Sequence, residues 1–315
     1  MSERRYDPFT GRYVIVAPHR RSPRPLRPGG LPDPPGPCPF CPGNEAETEA
    51  TVVAWPPAGP WRIRVVRNRY PLVTPDARPT PRGEATAGLH EVVIEGPDHD
   101  ADLPEMSDDD LAALGRVWRD RVRDLAREPG IRAVTLFRNR GRRAGSSQPH
   151  PHSQLAALTW VPADVERRWA LARAHAERTG RSLWATTLEH ELAAGERVVE
   201  EGERFVMLCP FAPSRPGEVR LVPRDPEPPF GELPDDAAEE LGRAVGDALR
   251  RLADRLAVTD SNVILRQPPA GARGPGAGWH LEVLPRTGGD AGFELATGVW
   301  VVVVSPEEAA GALRR

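Results

Sequence analysis

Asn139-Arg-Gly-Arg-Arg-Ala-Gly-Ser-Ser-Gln-Pro-His150-Pro-His152-Ser-Gln154 follows the apolar run Ala133-Val-Thr-Leu-Phe137 near the middle of the chain. The run reads as a buried strand, and the Gly/Ser stretch after it as a loop. Beyond the loop, His150, His152 and Gln154 alternate with Pro151 and Ser153. Side chains of an extended segment repeat every second residue, so two imidazoles and an amide share one face at roughly 6–7 Å spacing. Two readings of this row compete. Pro149 and Pro151 cannot donate to a ladder, which fits a plain polar edge strand. A loop of small residues and arginines can instead aim backbone N–H groups at an anion, which fits a phosphate site. Loop and row together favour the second.

The segments around the row occur twice. Trp61–Val66 and His90–Glu95 read as strands, and Ser107 caps a helix with Asp108, Asp109 and Asp110 in its first turn. Leu111, Leu114, Val117, Trp118, Val122 and Leu125 give that helix an apolar face. Two further helices, over Ala163–Thr179 and Thr187–Ala194, bridge to the second set, and His175 and His190 on them suit surface or packing roles. Arg204–Leu208, Gly217–Val222, a helix from Asp235 with Leu241, Val245, Leu249, Leu252 and Leu256, and Asn262–Leu265 then repeat the order. A glycine-rich loop and Trp279-His280-Leu-Glu282-Val-Leu284 complete it, offset by about 130 residues. In this alignment Glu282 stands at the place of His152. Strand, strand, helix, strand, loop, strand implies an antiparallel sheet with a helix on it, hence an α+β fold. Two halves are expected, 1–160 carrying the chemistry and 161–315 diverged, related by a pseudo-two-fold.

Composition excludes several classes of function. A net charge of −3 over 315 residues argues against nucleic-acid binding through a basic surface. All 42 basic residues are arginine, a side chain suited to bidentate phosphate contacts. Many of the 37 prolines crowd the first 80 residues, which should form ordered loops and short strands. No apolar run approaches the roughly 20 residues of a membrane span, and no signal-peptide core follows the arginine-rich start, so a cytoplasmic protein is expected.

Three cysteines are too few for a disulfide framework. Cys38-Pro-Phe-Cys41 has the spacing of half a zinc site; a redox pair competes, but Pro42 and Gly43 oppose the helix such a motif needs. Cys209 reads as a buried thiol. Pro18-His-Arg20-Arg-Ser-Pro-Arg24-Pro25 is a rigid basic loop, either solvated or ligand-facing.

The chain resembles the galactose-1-phosphate uridylyltransferase family, duplicated members of the histidine triad superfamily, from Gly11 to about Gly298. The resemblance rests on Pro18-His-Arg20, Cys38-Pro-Phe-Cys41-Pro-Gly-Asn44, Asn68, Pro97-Asp-His99, Asn139-x-Gly141, Gly145-x-Ser147, His150-Pro-His152-Ser-Gln154 and Gly292-Phe-Glu294. It implies two tandem histidine-triad-like halves and one structural zinc per chain, held by Cys38, Cys41, His99 and His150. His152 would be the nucleophile that accepts a uridylyl group from UDP-glucose and passes it to galactose 1-phosphate. Gln154 would donate to a phosphoryl oxygen, with Gly145 and Ser147 holding the phosphates. Arg20, Arg24, Asn68 and Asn139 would contact the nucleotide. Phe293 and Glu294 would reach the hexose of a neighbouring subunit, which implies a homodimer.

The chain also departs from the family pattern. Arg69 stands where some members have an acidic residue beside the uridine. Arg168, Gln267 and Glu282 occupy places that in some relatives help a histidine like His280 to form a second metal site, and no such site is expected here. An ADP-sugar or dinucleotide phosphorylase is the alternative within the enzyme class. A zinc-containing nucleic-acid module and a non-catalytic sugar-nucleotide sensor are the alternatives outside it.

Overall fold

The computed structural model describes residues 2–21 and 36–314. Ten strands form one antiparallel sheet. In the first half these are β3 (Thr51–Trp55), β4 (Ile63–Arg67), β5 (Gly88–Ile94), β6 (Ala133–Arg140) and β7 (His152–Leu158). In the second half they are β8 (Val198–Glu201), β9 (Phe205–Leu208), β10 (Val219–Pro223), β11 (Ser261–Arg266) and β12 (His280–Pro285). Their order, β3-β4-β5-β7-β6-β11-β12-β10-β9-β8, repeats each half about the β6–β11 seam, where Asn139 lies opposite Asn262. The α+β architecture and its internal two-fold are as the sequence pattern implies. The edge strands β3 and β8 are additional, so each half carries five strands.

Helices α1 (Asp108–Arg127) and α4 (Asp235–Leu256) share one face of the sheet. Alternation decides what meets them. Val134, Leu136, Leu155, Ala157, Val263, Leu265, Leu281 and Val283 point to the helices and pack with Leu114, Trp118, Leu241 and Val245. The Ser107 hydroxyl accepts from the Asp110 amide and caps α1. The two helices cross at two glycines in reciprocal contact: a Cβ on Gly115 would lie 2.0 Å from the Ala238 carbonyl oxygen, and one on Gly242 1.9 Å from that of Leu111.

This crossing and the strand starts correct the alignment of the repeats. His280 opens β12 as His152 opens β7, on the face away from the helices in each case. Glu282 therefore matches Gln154, and His280 matches His152 rather than His150.

On that second face the halves differ. Val206, Leu208 and Val222 are sealed by Phe9, Trp184 and Leu188, the last two from α3 (Leu183–Ala194), which packs with α2 (Ala163–Thr179). In the first half Val66, Val92 and Ile94 meet Phe40 and Trp61. Both ends of the chain join in a small sheet, β1 (Glu3–Asp7), β2 (Arg12–Val16) and β13 (Trp300–Val302), with β13 parallel to β2. The short helix α5 (Gly292–Thr297) precedes β13, and α6 (Pro306–Arg314) supplies Glu307, paired with Arg5 and Arg197 at 2.8 Å each.

Gly115→Ala is expected to lower the urea midpoint without changing the slope. Overpacking against backbone costs about 1–3 kcal/mol and outweighs the roughly 1 kcal/mol that alanine gains in helix propensity. An unchanged or higher midpoint would contradict the close crossing.

Candidate functional site

The row lies where β7 begins. Ile94 and Val92 of β5 stand opposite His152 and Gln154, so the row faces away from the helices. On the helix side, Trp118 Nε1 donates to Ser153 Oγ at 2.7 Å, and Arg138 Nε to Glu95 at 2.8 Å. Arg138 also pairs with Asp102, which takes Arg140 at 2.9 Å. Burial pushes the Glu95 carboxyl up, and Arg138 opposes that shift. This packing fixes the strand from behind.

His150 is fully buried and has both ring nitrogens engaged. Its Nε2 lies 2.9 Å from the Gly96 carbonyl, which only accepts, so Nε2 carries the proton and Nδ1 keeps a lone pair. That Nδ1 lies 3.8 Å from Cys38 Sγ and 3.7 Å from Cys41 Sγ, and His99 Nδ1 is 3.4 Å from Cys41 Sγ. One ligand atom from each of Cys38, Cys41, His99 and His150 lies within 4.8 Å of all the others. Tetrahedral bonds of about 2.3 Å to sulfur and 2.0–2.1 Å to nitrogen put sulfur and nitrogen roughly 3.6 Å apart. The four donors are thus spaced to hold one metal ion, with a carbonyl orienting one imidazole from outside.

His152 has the opposite tautomer. Its Nδ1 lies 2.9 Å from the His150 carbonyl oxygen, so Nδ1 carries the proton and Nε2 a lone pair. Burial pushes its pKa down to about 4, with the backbone bond opposing and Arg138 contributing, so the ring is neutral at pH 7. Phe40 packs on it with ring centroids 5.4 Å apart. Gln154, half-buried, has Oε1 3.0 Å from Nε2 of the buried His90.

The loop between β6 and β7 is clamped by the second half. Gly141 has φ +83°, and a Cβ there would lie 2.4 Å from the Asp260 carboxylate, so only glycine fits. Asp260 accepts from the Arg143 amide at 3.0 Å. Asn262 Nδ2 donates to Asn139 Oδ1 at 2.8 Å and to the Ala144 carbonyl at 2.9 Å. Gly145 is left-handed at φ +82° and exposed, as is Ser147. Asn68 sits beside His90, its Oδ1 accepting from the Tyr70 amide at 2.8 Å. Arg69 donates to the Glu47 carbonyl at 3.0 Å.

Cys38, Cys41, His99, His150, His152, Gln154, Asn68 and Asn139 therefore gather around the start of β7 and its neighbours. Arg20 is exposed beyond β2, and Arg24 lies outside the described residues. Phe293 and Glu294 make local hydrogen bonds: the Phe293 carbonyl accepts from the Thr297 hydroxyl, and the Glu294 carboxylate from the Ala291 amide. His90, Asp260 and Asn262 are the neighbours that the sequence reading missed. Only the strand pairing brings them to the row. Cys209 is buried, and burial pushes its thiol pKa up.

Three comparisons bear on this arrangement. Residues 1–162 match the family model of galactose-1-phosphate uridyl transferase, N-terminal domain. The ADP-glucose phosphorylase of Arabidopsis thaliana is 31% identical over 99% of this chain and 92% of its own. The galactose-1-phosphate uridylyltransferase of Thermotoga maritima is 32% identical over 71% of this chain and 67% of its own. The crystal structure of an Arabidopsis thaliana ADP-glucose phosphorylase with bound ADP-glucose superposes with a TM-score of 0.87 at 30% identity, covering 100% of this chain and 98% of that one.

Protein purified without chelators is expected to carry one metal ion per chain by elemental analysis. Cys41→Ser should lose most of it, because deleting one donor from a closed four-ligand shell weakens the whole. Metal retained in full by Cys41→Ser would rule out this ligand set.

Proposed function

The chain belongs to the galactose-1-phosphate uridylyltransferase family, and from that premise we propose that it transfers a nucleotidyl group from a nucleoside diphosphate hexose to a phosphate acceptor through a covalent adduct on His152. The observation that carries this reading is the His152 tautomer: Nδ1 is tied to the His150 carbonyl, and Nε2 is left with its lone pair beside Gln154. In the first step Nε2 bonds to the α-phosphorus, and the bond from that phosphorus to the bridging oxygen breaks. Hexose 1-phosphate leaves with the electron pair and needs no proton. In the second step an oxygen of the acceptor phosphate bonds to the phosphorus, and the electrons of the P–N bond return to Nε2. Nδ1 keeps its proton throughout, and the carbonyl it faces stabilises the positive ring of the adduct.

Gln154 donates to a phosphoryl oxygen, and the Gly145–Ser147 loop supplies further donors as charge builds. Arg20, Arg24, Asn68 and Asn139 contact the nucleotide. Zinc suits the Cys38, Cys41, His99 and His150 donors; with four protein ligands it would offer no open position and would hold the Cys38–Asn44 loop to the start of β7.

The motifs alone put UDP-glucose and galactose 1-phosphate first. A match that runs through both halves to an ADP-glucose phosphorylase favours an adenylyl donor, with inorganic phosphate as acceptor. Arg69, at a position that is acidic beside uridine in some relatives, fits that order. Uridylyl exchange is the second reading, supported by the family model over the first half and by the Thermotoga maritima relative.

Intact mass after incubation with ADP-glucose and UDP-glucose, separately, should reveal an adduct of the preferred nucleotide on His152. His152→Ala should abolish it with metal content intact, and Gln154→Ala should slow its formation by roughly 10²–10³-fold. An adduct on another residue, or exchange of label surviving in His152→Ala, would overturn the mechanism. Phe293 and Glu294 are exposed and half-exposed, consistent with a homodimer in which they serve the partner's site. Mixed His152→Ala and Glu294→Ala chains should then regain part of the activity, and a fully active monomer in sedimentation would exclude the shared site.

A further inference from the structure

His90 lies on β5 diagonally across from Gln154, on the row's face of the sheet. It is 4% exposed and belongs to neither the metal group nor the nucleophile. Its two nitrogens are read differently by their neighbours. The Leu72 backbone amide points at Nδ1 from 3.0 Å. A backbone N–H can only donate, so Nδ1 must accept, and in a neutral ring the proton then sits on Nε2. Burial pushes the His90 pKa down, which keeps the ring neutral although the bond to Gln154 opposes the shift. The Asn68 amide nitrogen lies 3.4 Å from Nδ1 and 3.3 Å from Nε2 and so favours neither tautomer; the Leu72 amide decides it. At 3.0 Å from the other nitrogen stands the Gln154 side-chain oxygen.

We propose that His90 is a positioning residue that orients the Gln154 amide: the chain Leu72 N–H to His90 Nδ1, then His90 Nε2–H to Gln154 Oε1, holds the acceptor oxygen of the glutamine on the His90 side and turns its NH₂ toward the reacting phosphate. The backbone donor is what tells the two ends of the amide apart. Flipping Gln154 would place its NH₂ against Nε2, force the proton onto Nδ1, and set that proton against the Leu72 N–H.

For the chemistry the consequence is selectivity. A glutamine free to flip offers a donor half the time and can welcome a hydroxyl. Held by His90, it offers only N–H groups, which suit a phosphoryl oxygen that gains charge in the transition state. Discrimination at this position then comes from the loop at Leu72, a residue whose side chain is exposed.

This consequence rests on the nucleotidyl-transfer reading above, so the test has two independent arms. Nitrogen-15 NMR of histidine-labelled protein, with the His90 signal assigned as the one missing from His90→Phe or His90→Gln, should show protonated Nε2 and unprotonated Nδ1. The opposite tautomer overturns the proposal whatever the enzyme does. The kinetic arm follows adduct formation on His152 from whichever nucleotide sugar labels it. His90→Phe should slow it by about 10–100-fold, less than outright loss of a transition-state donor, with the half-saturating concentration changed by less than about threefold. In the Gln154→Ala background the same substitution should cost less than about threefold more, since there is no amide left to orient. An equal loss in both backgrounds would show that His90 serves only packing. If no nucleotide sugar labels the wild-type protein, the functional reading fails, and the tautomer still decides whether His90 holds Gln154.

Discussion

The pairing of β6 with β11 is the constraint from which the rest follows. It joins two five-stranded sets into one sheet and sets Asn139 opposite Asn262. A slip of one residue there would move every side chain of the strand to the other face, taking Val134 and Leu136 out of the core and Asn139 out of the site. The correct register brings Asn262 and Asp260 of the second half to the loop of the first. Each such hydrogen bond is worth only about 1 kcal/mol net, but leaving a buried carboxylate or amide unpaired costs more. The candidate phosphate loop is therefore shaped by a half that carries neither the proposed nucleophile nor the candidate metal ligands. The reciprocal glycine contact between α1 and α4 repeats the same symmetry on the opposite side of the sheet.

The second half shows what the frame becomes when its row is put to another use. His280 occupies the place of His152, yet Trp184 Nε1 donates to its Nδ1 at 3.1 Å and Glu282 accepts at Nε2, 3.2 Å away. The proton is thus on Nε2, and neither nitrogen is left for phosphorus. Glu282 takes Arg266 at 2.7 Å and has Arg168 and Arg220 at 3.7 and 3.9 Å. Burial works against its charge, but Arg266 and His280 hold its pKa well below the usual range. Breaking such a buried network by removing one partner is costly, because it strands the other charge without water. Phe9 and Trp184 close over the histidine with centroids 5.4 and 6.4 Å away. Divergence here has exchanged a row for a sealed polar joint between β12, α2 and α3.

Legibility in the sequence followed the length and periodicity of the elements. The helix starts at Asp108 and Asp235 and the strands over 63–67, 88–94 and 205–208 were visible from apolar spacing, with the Ser107 cap marking the first helix. The edges β3 and β8 were not, since strands of five and four residues flanked by polar or proline-rich stretches carry little alternation. β13 is three residues long and is fixed by pairing with β2 from the far end of the sequence, while α5 is short and buries none of its residues. Of the candidate metal ligands, the cysteine pair was legible from its spacing and His99 and His150 only through family resemblance, because half a ligand set cannot announce its other half 58 residues away. The alignment of His280 was misread for a related reason: both candidate positions have the same parity along the strand, and only the observed strand starts and helix crossing choose between them.

What distinguishes His90, His150 and His152 from one another is the backbone group each one meets. The Gly96 carbonyl takes the Nε2 proton of His150 and leaves Nδ1 turned toward Cys38 and Cys41. His150 in turn offers its own carbonyl to Nδ1 of His152 and leaves Nε2 with the lone pair that the proposed attack requires. The Leu72 amide fills Nδ1 of His90 and leaves an Nε2 proton for Gln154. A neutral imidazole has one donor and one acceptor, so fixing either nitrogen decides the role of the other. Backbone groups are the right agents for this, because they cannot titrate and they move only if the strand moves. The proline-rich sequence around the row serves the same end: Pro149 and Pro151 lack N–H groups, and their carbonyls take Arg140 and the Glu95 amide, at 2.6 and 3.2 Å. The His150 carbonyl between them is thus kept for His152, and a substitution that bent this short extended run would disturb the four-donor cluster and His152 together, although it touched neither imidazole.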